Sequence, residues 1–179
     1  VKFLIEGEEE SGGAGLKAFL NGDYDQDVSV KEKIGADIAV ISDCSQYAPG
    51  QPAITYGLKG ITYYQLNLTG PNRDVHTGSL GGTVANPATV LTKMLAALVN
   101  DQGRVQVPGF YDDVIPLSDR ERQQFASLPF DESRFMEKIG VRGVAGESGY
   151  TTLERRWARP TFDINGIWGG YQGDGAKTV

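Results

Sequence analysis

The spacing of apolar positions changes twice along the chain. Residues 1–6 begin with a short apolar run, Val1-Lys2-Phe3-Leu4-Ile5, which predicts a strand over 2–6. Residues 11–20 carry a helical pattern, with Ser11 as a candidate cap and Asn21-Gly22 as a stop. Residues 36–42 are apolar and rich in β-branched side chains, and they end at Asp43. Strand, helix and strand in that order predict a βαβ unit with parallel strands and a right-handed crossover. Pro49, Gly50 and Pro52 then mark a linker. Beyond it, residues 61–69 are β-rich and turn to alternation. Val90, Leu91, Met94, Leu95 and Leu98 fall at helical spacing after the opening pair Asn86-Pro87. Shorter helical patterns follow within 117–128, 133–139 and 150–157, and residues 161–167 alternate again. The expected class is therefore α+β. Residues 54–179 should form an antiparallel sheet backed by helices, and residues 1–53 a βαβ remnant of an α/β domain.

Composition narrows what such a chain can do. With 179 residues, 40% of them hydrophobic and 22% charged, it is long enough for a core and polar enough for water. A net charge of −6 disfavours a nucleic-acid surface, which needs clustered Lys and Arg. No apolar run reaches the roughly 18 residues that a membrane span requires. The single cysteine, Cys44, excludes an internal disulfide framework and a cysteine-rich zinc site. It fits a reducing, cytoplasmic setting. The chain opens inside an apparent strand and ends at Lys177-Thr178-Val179, as expected of a segment of a longer protein.

The chemistry-bearing run is Glu6-Gly7-Glu8-Glu9-Glu10-Ser11-Gly12-Gly13. Adjacent carboxylates repel, and a divalent cation would relieve that repulsion while leaving one carboxylate free to act on water. A solvated acidic loop ahead of a helix is the plainer alternative. Both this run and Asp43 are expected at the carboxyl ends of parallel strands, the edge where α/β sheets place ligands. His76 is the single histidine, within Asp74-Val75-His76-Thr77-Gly78, and a structural role is the ordinary expectation for a lone histidine. The tail from Gly169 to Thr178 is glycine-rich, but Ala176 stands between Gly175 and Lys177, so it lacks the Gly-Lys pair of a phosphate loop.

Four segments together resemble the two-zinc metallopeptidases that include carnosine dipeptidases, aminoacylases and succinyl-diaminopimelate desuccinylase. They are Glu6 to Gly12, Ile41-Ser42-Asp43, Asp74 to Gly82, and Gly169 to Val179. The resemblance implies a catalytic domain carrying two zinc ions and an inserted lid domain that forms a homodimer. Residues 1–53 would belong to the former and 54–179 to the latter. It implies Glu9 as general base, Glu10 and Asp43 as metal ligands, and His76 as an oxyanion donor reaching into the partner subunit's site. It implies Arg159, Asn165, Gly173 and Gly175 as substrate-binding, for a small peptide or acyl-amino acid. The dimer contact is expected over 62–69 and 86–99. Two zinc ligands are too few for a complete site, so the chain alone is expected to be inactive. Two other readings stay open: a stand-alone interaction module reusing the lid, and an unrelated Mg²⁺ or Ca²⁺ site built from the acidic pair.

Overall fold

The structure is a computed structural model, and it describes residues 1–22, 30–43, 45–175 and 177. Cys44 lies outside the described residues. The chain divides into two units, Val1–Thr55 and Tyr56–Val179. Among the described residues there are seven α-helices and no strand.

The first unit holds a 3₁₀ turn over Glu9–Ser11 and helices α1 (Ala14–Asn21) and α2 (Val30–Ile34). Ser11 does not cap α1. Its hydroxyl donates to the Glu8 carbonyl at 3.1 Å, inside the 3₁₀ turn. The cap is Gly13 at φ 62°, a left-handed position that suits glycine. With no cap side chain available there, the Glu8 carboxylate accepts the Gly15 N–H at 2.8 Å. Gly22 at φ 82° ends the helix, as its sequence context predicts.

The second unit contains α3 (Thr77–Leu80), α4 (Pro87–Ala96), α5 (Asp119–Ala126), α6 (Glu132–Ile139) and α7 (Thr152–Trp157). Each of the last four is opened by a side chain that accepts a backbone N–H. Asn86 takes Thr89 N–H at 3.2 Å, and Asp131 takes Arg134 N–H at 3.0 Å. Ser118 with Glu121 and Thr151 with Glu154 form complete capping boxes. Helix α5 meets α7 through an edge-to-face contact of Phe125 on Trp157, with centroids 5.3 Å apart. Alongside it, Arg122 pairs with the buried Glu154 at 3.3 Å. The Thr152 hydroxyl donates to the Glu132 carboxylate, tying α7 to the first turn of α6.

The buried apolar side chains are Val105 and Leu153, among the described residues. Around them the chain closes a tight loop. Val99 and Val105 form an isolated antiparallel bridge, and the Asn100 carboxamide accepts from Gln102 N–H at 3.1 Å and Arg104 N–H at 2.9 Å. Gly103 sits at φ 71°, and a Cβ there would run into the Gly146 carbonyl. The loop therefore packs backbone to backbone on residues 146–148, where Ser148 N–H donates to the Gln102 carbonyl at 2.8 Å.

The expected sheet is absent. Residues 2–6, 36–42, 61–69 and 161–167 carry no strand assignment, and large apolar side chains such as Phe3, Ile41, Tyr64 and Ile167 are exposed. The α+β expectation, with an antiparallel sheet backed by helices and a βαβ remnant before it, is overturned. Alternation and β-branching favour an extended backbone, but a sheet also needs a second strand about 4.8 Å away to take up its N–H and C=O groups. These segments have no such ladder. No helix among the described residues is long and apolar enough to cross a membrane.

Candidate functional site

In the first unit, the acidic run bends into the 3₁₀ turn because the Glu8 carbonyl accepts Ser11 N–H at 3.0 Å and Gly13 N–H at 2.9 Å. Gly12 at φ 99° closes that turn. The turn presents Glu9 and Glu10 side by side, both exposed, and Asp43 is exposed as well. Within the same acidic run, the Glu8 carboxylate serves the N-terminus of α1. Among the described residues, Glu6 Oε1 is buried with no hydrogen-bond partner, and it lies 2.7 Å from where a Cβ on Gly13 would stand. Gly13 thus provides both the turn and the room for Glu6. Among the described residues, no group of three or more His, Cys, Asp or Glu side chains is placed to hold a metal ion. Glu10 and Asp43 are two oxygen donors, short of the three or four protein ligands of a zinc site. The described residues therefore do not fit a complete zinc site.

In the second unit, His76 occupies the cap position of α3 with an extended backbone, φ −80° and ψ 118°. Its carbonyl accepts Ser79 N–H and Leu80 N–H, each at 3.0 Å, while its imidazole is exposed. The ring lies over Gly78, where a Cβ would stand 2.6 Å from Cε1 and 2.9 Å from Nδ1. Glycine at 78 is what lets the imidazole rest there. Two residues earlier, the Asp74 carboxylate is 3.6 Å from the Lys177 ammonium.

That lysine arrives on the glycine-rich loop. Tyr171 folds back so that its hydroxyl donates to the Asp174 carbonyl at 2.9 Å, and a Cβ on Gly173 would stand 2.6 Å from that hydroxyl oxygen. Gly175 takes φ 79°. The structure thus brings the His76 loop and the Gly173–Gly175 loop together through one ion pair. Asn165 is exposed on the extended segment before that loop.

Arg159 sits elsewhere in the unit, with 6% of its surface exposed. Its Nε and Nη2 donate to the two Glu147 carboxylate oxygens at 2.7 and 3.1 Å, a fork-to-fork pair. The guanidinium stacks 4.4 Å from the Tyr150 ring centroid and 5.3 Å from that of Tyr111. Glu147 also accepts from Arg104 Nη1 at 2.9 Å, and the Tyr111 hydroxyl accepts Val105 N–H at 3.0 Å. The Glu147 hydrogen bonds hold the Arg159 guanidinium above the usual arginine range, against the opposing effect of burial. Glu147, Lys177 and Gly78 were not singled out from the sequence. Glu147 lies in no motif, whereas Gly78 and Lys177 fall within two of the four segments that carry the family resemblance, with no role of their own implied there.

Comparison with known proteins gives these features a context. Residues 56–179 match the peptidase dimerisation domain of the M20 family. The chain is 36% identical over 175 residues to the Cys-Gly metallodipeptidase DUG1 of Candida albicans, covering 98% of this chain and 35% of that protein. It is 32% identical over 179 residues to the human Beta-Ala-His dipeptidase, covering 100% of this chain and 34% of that protein. Among solved structures, the dipeptidase Dug1p of Saccharomyces cerevisiae aligns with a TM-score of 0.53 at 30% identity, over 62% of this chain and 23% of that one. The chain spans about a third of the length of the curated relatives it matches. Over most of its length, from Tyr56 onward, this chain belongs to the M20 peptidase dimerisation domain family.

Proposed function

We propose that this chain is the dimerisation and lid portion of a zinc-dependent dipeptidase that acts as a homodimer. Its substrate would be a small peptide or acyl-amino acid with a free carboxylate, and the reaction hydrolysis of its amide bond. The match of residues 56–179 to a peptidase dimerisation domain carries the reading. The exposed imidazole within that segment supports it further.

The roles follow from side-chain chemistry. Glu9, exposed beside Glu10 on the 3₁₀ turn, is free to take a proton from the attacking water and return it to the leaving amine. Glu10 and Asp43 would be two of the metal ligands. His76 of one subunit would donate a ring N–H to the oxyanion in the site of its partner, where charge develops only in the transition state. Asn165, Gly173, Gly175 and Arg159 would shape the substrate pocket. Arg159 does so with the part of its guanidinium that Glu147 leaves unbonded.

The test is complementation in the full-length protein. Glu9→Gln should collapse kcat toward Cys-Gly and β-Ala-His without loss of metal. His76→Ala should lower kcat by about 10²–10³, as removal of one oxyanion donor does. Mixing the two inactive homodimers should restore activity as subunits exchange, because one hybrid site regains both an intact Glu9 and an intact His76. Wild-type kcat in either single variant would remove that residue from the mechanism. No recovery on mixing, with exchange verified, would rule out catalysis in trans.

A further inference from the structure

We propose that Asp74 and Lys177 are positioning residues, forming a tether that holds the His76 loop against the glycine-rich loop. The proposal rests on the reading of His76 as an oxyanion donor only for its catalytic consequence. The tether itself is geometric. The Lys177 ammonium lies 3.6 Å from the Asp74 carboxylate, and Asp74 is two residues from His76.

The lysine end is well seated. Its ammonium is 5.7 Å from the Tyr171 ring centroid, and Tyr171 is itself bonded to the Asp174 carbonyl and folded onto Gly173. The turn from Tyr171 to Asp174 is thus braced by its own contacts and can serve as an anchor for the Lys177 ammonium. The histidine end has less support of its own. Its backbone bonds, Ser79 and Leu80 N–H to the His76 carbonyl, run within α3, a helix of four residues. Short helices are marginal without outside contacts. Among the described residues, the Asp74–Lys177 pair is the polar link from this segment to a distant part of the chain.

Both partners are substantially exposed, 82% for Asp74 and 52% for Lys177, so the pair is weak and screened by salt. A weak tether still suffices to bias a loop between two positions. An exposed pair of this kind is worth up to about fivefold in a local equilibrium. Misplacing a catalytic group by about 1 Å costs up to roughly 100-fold in rate. The tether's own strength caps the expected loss on cutting it, at about fivefold.

The single histidine makes the test direct, because its Cε1–H signal needs no assignment. In the 179-residue chain, Lys177→Gln and Asp74→Asn should move that signal in the same direction, since both release the loop. A purely electrostatic effect would move it in opposite directions, because the two changes remove opposite charges. The exchanged double variant, Asp74→Lys with Lys177→Asp, should return it toward its wild-type position. In the full-length protein, Lys177→Gln should lower kcat by up to about fivefold at low ionic strength with KM unchanged, and the exchanged pair should recover it. An unmoved signal, or opposite shifts, overturns the tether. Unaltered kcat in His76→Ala beside same-direction shifts leaves the tether standing and overturns the catalytic reading of His76 instead.

Discussion

Substituting Gly78 by alanine should separate the catalytic use of His76 from the stability of its loop. A Cβ at position 78 would stand 2.6 Å from the imidazole Cε1 and 2.9 Å from Nδ1, closer than carbon or nitrogen atoms approach without bonding. The obstructed atoms belong to a side chain, so the ring swings away and the backbone stays. Gly78 does not need a left-handed backbone, and it lies inside α3. Alanine there gains about 0.5–1 kcal/mol from helix propensity and a less free unfolded chain. Moving the ring off its preferred rotamer costs about 0.5–1.5 kcal/mol. The two nearly cancel, and global stability should change by less than about 1 kcal/mol. With His76 as the proposed oxyanion donor, the displaced imidazole would no longer reach the oxyanion, a loss of about 2.7–4 kcal/mol in the transition state. Since that contact forms only there, kcat and kcat/KM should fall together, by about 10²–10³. Initial rates with the full-length protein, alongside thermal unfolding, provide the readout. A folded Gly78→Ala protein with wild-type kcat would refute the reasoning, and so would a rate loss matched by an equally large loss of stability.

Two further predictions concern the second unit. Glu147→Ala should destabilise the protein by about 3–5 kcal/mol, because Arg159 would be left buried with its charge unpaired. Arg104, with 49% of its side chain exposed, contributes far less to that figure. Denaturant unfolding measures it, and a loss below about 1 kcal/mol would show that Arg159 finds water or another partner. The α5 capping box should weaken in acid. Glu121 is held below its ordinary value of 4.5 chiefly by the Ser118 backbone N–H, then by the Ser118 hydroxyl. A carboxylate lowered in the folded state stabilises above its unfolded value and loses that contribution as pH falls through the folded one. Amide exchange in the first turn of α5 should therefore quicken below about pH 4.5, and Glu121→Gln, which removes the titrating carboxylate, should abolish the dependence. Equal acid sensitivity in that variant would place the effect elsewhere.

Helices α4 to α7 of the second unit were legible because their signals are local, whereas the four-residue α3 carried no such pattern. Asn86-Pro87 opens α4, and the short apolar patterns over 117–128, 133–139 and 150–157 each become one helix. The Ser118–Glu121 and Thr151–Glu154 boxes span four residues each, and they mark those boundaries more sharply than the apolar pattern does. The sheet was misread because alternation along 61–69 and 161–167 records only what one strand would want. Whether a partner strand lies beside it is not a property of either segment. Cap choice at α1 failed for a related reason. Ser11 is a good cap by type, but two successive glycines allowed the chain to turn left-handed and start the helix three residues later.

The sequence by itself determined roughly where α4 to α7 start and stop and where α1 ends, and it placed Glu9, Glu10, Asp43 and His76 in recognisable settings. Those features depend on residues within about one turn of each other, so the order of amino acids is enough to encode them. Only the tertiary structure decided that Arg159 is buried against Glu147, that Lys177 reaches Asp74, and that the His76 ring rests on Gly78. The first two join residues 12 and more positions apart through side-chain charge. Any of 17 cations could have met any of 23 carboxylates by composition alone. The third depends on the missing Cβ of a particular glycine, whose use becomes visible once the backbone has brought a ring above it.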